Sequence, residues 1–139
     1  LIQLREYNEI LERRRSVFDT YNAQFGPDER LICPLNSDDE RSSSCHFYAL
    51  RLNGYSEPQR DRMIELMADQ GINTNVHYLP LPMLTAYKNR GYDINDYPDS
   101  YSTYKAEITL PIFNAITDEQ VQAVIDAVFH CLDQLDKKP

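Results

Sequence analysis

The stretch from Ile72 to Tyr78 constrains this chain more than any other, because its two faces carry opposite chemistry. Side chains alternate across an extended strand. Ile72, Thr74, Val76 and Tyr78 therefore fall on one face, and Asn73, Asn75 and His77 on the other. The first face can pack against helices. The second is wholly polar and has to meet either water or a ligand. Leu79-Pro80-Leu81-Pro82 ends the strand, since neither proline can donate to a ladder.

The flanking segments say what such a strand would pack on. From about residue 2 to 25, Leu4, Tyr7, Leu11, Phe18, Tyr21 and Phe25 recur at helical spacing, and Gly26-Pro27 stops the run. A helix standing at the very start reads as a connector between domains, with truncation at the amino end expected. Residues 36–44 are polar and aperiodic, a loop. His46 to Leu52 is aromatic and aliphatic enough for a strand, closed by Asn53-Gly54. Ser56 and Gln59 then form a capping box for a helix that buries Met63, Ile64, Leu66 and Met67 and leaves through Gly71.

Beyond the prolines, residues 83–104 predict two short helices around a turn at Arg90-Gly91, and Ile108-Thr109-Leu110 a third strand ended by Pro111. Thr117 and Gln120 make a second capping box. Behind it Val121, Val124, Ile125, Val128, Leu132 and Leu135 line one helical face. This order predicts an α+β fold: a small antiparallel or mixed sheet with helices packed on one face, entered by a long interdomain helix. Residues 1–25 would be the connector helix and 26–139 a small domain.

Several function classes are excluded by charge and composition. The net charge of −8 would repel a phosphate backbone, so no nucleic-acid partner is expected. Arg13-Arg14-Arg15 is the one dense basic run, and Glu9 and Glu12 stand at spacings that predict helical ion pairs with Arg13 and Arg15. No apolar run approaches the roughly 20 residues of a membrane span, and no basic-then-apolar leader opens the chain. Three irregularly spaced cysteines indicate neither a disulfide framework nor a zinc knuckle, and a reducing, cytoplasmic setting fits them. Cys45-His46 and His130-Cys131 are adjacent pairs whose side chains point apart, so no metal ligands are expected.

Catalytic groups are missing as well. The four glycines are scattered and form no phosphate-cradling loop. A Schiff-base lysine needs desolvation or a neighbouring cation, and Lys88, Lys105, Lys137 and Lys138 all stand in polar surroundings. The residues alone predict neither a catalytic nor a cofactor-binding side chain here.

The run Gly71-Ile72-Asn73-Thr74-Asn75-Val76-His77-Tyr78-Leu79-Pro80-Leu81 resembles the Gly-Ile-x-Thr-x-x-His-Tyr and Pro-Leu elements of DegT-type sugar aminotransferases. Ser44-Cys45-His46-Phe47-Tyr48, Gly91-Tyr92 with Asp96-Tyr97-Pro98, and Leu110-Pro111-Ile112 with Thr117-Asp118-Glu119-Gln120-Val121 resemble further family segments in the same order. The resemblance implies the carboxy-terminal small domain of a homodimeric fold-type I enzyme. In that family a large domain, absent from this chain, supplies the pyridoxal phosphate (PLP) and its lysine. An amino group passes from glutamate to a nucleotide-linked keto-sugar. The small domain closes one wall of the site and would be inactive alone.

By the same resemblance His77 and Tyr78 lie near the sugar-nucleotide, and the polar strand face puts Asn75 beside His77. Each has a structural alternative: His77 as a hydrogen-bonding or proton-transferring group, Tyr78 turned toward packing, Asn75 fixing local backbone. The sequence departs from many relatives after Leu81, where Pro82-Met83 replaces a histidine. Two other functions stay open: the small domain of a related PLP-type sugar dehydratase, and a stand-alone α+β binding module.

Overall fold

Helix α1 (Tyr7–Phe25) enters the fold and buries Val17, Phe18, Tyr21 and Phe25. The computed structural model describes residues 5–137, so Leu4 and the expected start of this helix lie outside the described residues. The helix stops at Gly26, whose N–H donates to the Asn22 carbonyl at 2.9 Å. A Cβ there would sit 2.7 Å from that carbonyl oxygen, so glycine alone allows the chain to turn away so tightly.

Three strands follow in one antiparallel sheet: β1 (Leu31–Ile32), β2 (Tyr48–Leu52) and β3 (Glu107–Leu110), side by side in that order. Leu31 pairs with Leu52, Tyr48 with Leu110, and Arg51 with Glu107. Strand β1 was not foreseen, since two residues are too few to show alternation. In β2, Tyr48, Leu50 and Leu52 are buried toward the helices while Ala49 and Arg51 are half-buried on the far face.

Helices α2 (Glu57–Asp69) and α5 (Asp118–Leu135) pack on each other; α1 also meets α5, and α2 meets β3. Both carry the capping boxes expected from Ser56/Gln59 and Thr117/Gln120, each box worth about 1 kcal/mol. Between β2 and β3 lie α3 (Thr85–Lys88) and α4 (Pro98–Tyr104), with single 3₁₀ turns at Leu81–Met83 and Ile94–Asp96. The core joins Phe18, Tyr21, Phe25, Tyr48, Met63, Met67, Ile108 and Val128. Tyr48 is ringed by Phe18 and Tyr21 at centroid distances of 4.8 and 5.0 Å. The two tyrosine hydroxyls of the core are served: Tyr21 donates to the Pro111 carbonyl at 2.9 Å and Tyr48 to Asn22 Oδ1 at 2.7 Å.

Two expectations are corrected. Ile72 to Tyr78 is not a strand; its one ladder contact is an antiparallel bridge between Asn75 and Thr109. The next backbone donors are taken by side chains instead. Val76 N–H donates to Asn75 Oδ1 at 2.8 Å and His77 N–H to Glu107 Oε2 at 2.9 Å, which removes the ladder. Burial still alternates as far as Val76, but Tyr78 is 76% exposed rather than packed against the helices. Its peptide bond to His77 is cis.

The arginine run also behaves differently. Among the described residues neither Glu9 nor Glu12 pairs with it. Arg13 reaches instead to α5, with Nη1 2.7 Å from Asp118 Oδ1. The apolar stripe turns that side of α1 inward, and a partner on another helix is then nearer than one on its own.

Candidate functional site

Strand β3 is buried at every position, and this decides what the site is made of. Ile108 and Leu110 face the helical core. Glu107 and Thr109 point to the other side, yet are only 2% and 8% exposed because the Asn75–His77 segment lies against them. Glu107 Oε2 accepts the His77 backbone N–H at 2.9 Å, and Oε1 accepts the Thr109 hydroxyl in a short contact. Thr109 Oγ1 is 2.8 Å from His77 Nδ1. A carboxylate, a hydroxyl and an imidazole are thus linked in series, running from the interior outward.

Arg60 holds this arrangement from behind. Its side chain is buried on α2, and Nη1 donates to the carbonyls of Tyr104 at 2.7 Å and Glu107 at 3.1 Å. Nε donates to Asp61 at 2.7 Å, and the guanidinium lies 4.9 Å from the centre of the Tyr104 ring.

On the outer side His77 stands among aromatic rings. Phe47 lies 5.8 Å away at 33°, and Tyr78 4.6 Å away edge-on at 89°. Phe47 also meets His46, whose Nδ1 is 3.1 Å from Arg14 Nη1. A guanidinium can only donate, so His46 Nδ1 is the acceptor. Phe47 and Tyr78 are exposed and can stack on or hydrogen-bond a planar or hydroxylated ligand.

Of the three residues the sequence singled out, His77 and Tyr78 come together at this edge. Asn75 stands beside them, with its carbonyl oxygen engaged by Val76 N–H. Asn73, expected on the same polar face, lines a separate groove of about 940 Å³ with Gly71, Ile72, Phe113 and His130, which none of the three lines. Glu107, Thr109, Phe47 and Arg60 were not foreseen. Extending the predicted β3 by one residue toward its start would have put Glu107 and Thr109 on one face.

Cys45 and Cys131 are buried, and that burial pushes both thiols up, away from the thiolate form. Among the described residues no His, Cys, Asp and Glu cluster could hold a metal, and no helix is long and apolar enough to cross a membrane.

Residues 1–129 match the DegT/DnrJ/EryC1/StrS aminotransferase family. The chain belongs to that family. Similar relatives include the spore coat polysaccharide biosynthesis protein SpsC of Bacillus subtilis, 30% identical over 92% of this chain and 33% of SpsC. The UDP-4-amino-4,6-dideoxy-N-acetyl-beta-L-altrosamine transaminase of Campylobacter jejuni is 25% identical over 97% of this chain and 35% of its own length. Among solved structures, Spr1654 of Streptococcus pneumoniae, provisionally named a sugar aminotransferase, superposes with a TM-score of 0.94 at 37% identity, covering 97% of this chain and 34% of its own. This DegT-family chain therefore spans about a third of the length of the relatives it matches.

PLP is the cofactor of the family, and Spr1654 has been solved in PLP and pyridoxamine-phosphate forms. The described residues of this chain do not fit that group. Lys88 and Lys137 are exposed. Lys105 is half-buried in a cleft of about 290 Å³ with Arg51, Asn53 and Ser102, and no acidic side chain lines that cleft to meet a pyridine nitrogen. No step of a PLP reaction can be assigned to this chain's described residues.

Proposed function

We propose that this chain is the carboxy-terminal small domain of a PLP-dependent sugar aminotransferase, residues 1–25 being the connector helix and 26–139 the domain proper. The observation that carries this reading is a mismatch. The chain superposes almost completely on Spr1654, of which it covers 34%, while none of its own described lysines is placed to hold the family cofactor. A large domain elsewhere in the polypeptide would hold the PLP and its lysine.

In the intact enzyme an amino group would pass from glutamate to a keto-sugar linked to a nucleoside diphosphate. Support for that substrate class comes from the UDP-sugar named in the Campylobacter relative. The small domain would close one wall of the site. His77 would hydrogen-bond the ligand, Tyr78 would offer its exposed ring and hydroxyl, and Asn75, with its carbonyl turned to the backbone, would bind through its amide nitrogen. The whole protein would work as a homodimer in the cytoplasm.

The test is to express the complete reading frame and assay glutamate-dependent amination of UDP- and dTDP-linked 4-keto-sugars by mass spectrometry. Amination by the complete protein, with none by residues 1–139 alone, is the expected result. Amination by residues 1–139 alone, or a complete reading frame that encodes no further domain, would overturn it.

A further inference from the structure

We propose that Glu107 and Thr109 are positioning residues that fix the tautomer of His77, leaving its Nε2 as a hydrogen-bond acceptor. The ligand group this selects is a donor: a sugar hydroxyl or the imide N–H of a pyrimidine base. The inference deepens the reading of His77 as a contact to the nucleotide-sugar, and its ligand half rests on that reading.

The assignment follows from counting protons. A carboxylate only accepts, and both Glu107 oxygens are used: Oε2 by the His77 backbone N–H and Oε1 by the Thr109 hydroxyl. Thr109 has one hydroxyl proton, and Glu107 takes it. Toward the ring, Oγ1 can then only accept, so the nitrogen 2.8 Å away, His77 Nδ1, carries the proton. With Glu107 and Thr109 2% and 8% exposed, water does not compete for the hydroxyl rotor. Arg60 fixes the Glu107 backbone by holding its carbonyl at 3.1 Å.

A neutral imidazole protonated at Nδ1 is an acceptor at Nε2. Among the described residues Nε2 of His77 has no hydrogen-bond partner, and it is not one of the side-chain atoms sealed from solvent without one. It is the free end of the series. His46 supplies a contrast inside the same fold: its Nδ1 accepts from Arg14, so its neutral ring carries the proton on Nε2.

The test uses the complete protein with ¹⁵N-labelled histidine, read by two-bond ¹H–¹⁵N correlation above the pH at which the rings become neutral. His77 is expected as the Nδ1–H tautomer and His46 as Nε2–H. Glu107→Gln is expected to reverse His77. Its amide oxygen can keep the backbone N–H, but its NH₂ then donates to Thr109 Oγ1, and the hydroxyl proton turns to Nδ1. Thr109→Val is expected to lose the preference and Thr109→Ser to keep it. If Thr109→Val does not fold, the nearly isosteric Glu107→Gln carries the test.

Glu107→Gln and Thr109→Val are expected to raise the KM for the nucleotide-sugar about tenfold and leave that for glutamate unmoved, and Thr109→Ser to leave both near wild type. A wild-type His77 in the Nε2–H form, or a tautomer indifferent to Glu107→Gln, overturns the assignment. A reversed tautomer with an unmoved nucleotide-sugar KM overturns the ligand half alone. His77→Ala with no effect on that KM marks instead the failure of the functional reading beneath it.

Discussion

Arg13 on α1 grips the start of α5 through Ile116. Its Nη2 and Nε donate to the Ile116 carbonyl at 2.6 and 3.1 Å, and Nη1 pairs with Asp118 at 2.7 Å. The two halves of this contact differ in worth. The carbonyl lies just before the α5 cap and is served by a charged donor. The Asp118 side chain is 87% exposed, so water screens that pair. Arg13→Ala is expected to lower stability by about 1–2 kcal/mol and Asp118→Ala by no more than about 0.5 kcal/mol, read from urea midpoints. Equal losses in the two variants would show that the ion pair, not the carbonyl contact, joins the helices.

Arg60 presents the opposite case, a cation whose side chain is 2% exposed. Its worth lies in what its loss would leave unpaired: the carbonyls of Tyr104 and Glu107 in the interior. Arg60→Met is expected to cost about 3–5 kcal/mol, and Arg60→Lys to recover less than half of that, because an ammonium cannot reproduce the planar fork. Denaturant unfolding of the three proteins side by side measures it. Full recovery by lysine would mean that charge alone matters at this position.

Local devices were legible in the sequence and long-range ones were not. The capping boxes at Ser56/Gln59 and Thr117/Gln120 are written within four residues, and the Val121–Leu135 stripe is a single-helix property. The alternation from Ile72 to Val76 was real in burial, but it could not show that side chains would take the backbone donors a ladder needs. Tyr78 turned outward for the same reason: past the Asn75 bridge, no sheet held the alternation. The site was half-readable. His77 and Tyr78 stood out by motif, whereas Glu107 and Thr109, 30 and 32 residues further along the chain, join His77 only through the edge of β3.

The closing turn of α5 is tied to β1 by a cluster that acid should loosen. Arg30 bonds Asp28 at 2.7 Å, Asp133 at 3.0 Å and Asp136 at 2.8 Å, and Tyr55 donates to Asp136 at 2.6 Å. Arg30 holds the Asp28 carboxyl below its ordinary 3.8, and the Tyr55 hydroxyl, with Arg30, does the same for Asp136. Burial and the Asp136 carboxylate push the Tyr55 phenol up to about 12. A depressed carboxyl stabilises the fold fully above its unfolded pKa and loses that contribution as pH falls through its folded pKa. Urea midpoints are therefore expected to fall between about pH 5 and about pH 2, and Arg30→Gln to shrink that fall. An unchanged acid loss in Arg30→Gln would place the sensitivity elsewhere. Both carboxyls are partly solvated, so the effect is expected to be modest.

Tyr78 offers the cleanest separation of function from folding, because a side chain 76% exposed contributes little packing. Tyr78→Ala is expected to change stability by no more than about 0.5 kcal/mol. In the complete enzyme the same change is expected to raise the KM for the nucleotide-sugar several-fold while leaving that for glutamate in place, as is His77→Ala. Tyr78→Phe then divides the effect: a residual defect assigns it to the hydroxyl, and full recovery assigns it to the ring. The proposal that these two residues form the ligand-facing wall would fail if Tyr78→Ala and His77→Ala moved both KM values equally, or neither. Stability and kinetics measured on the same Tyr78→Ala preparation exclude misfolding as the cause.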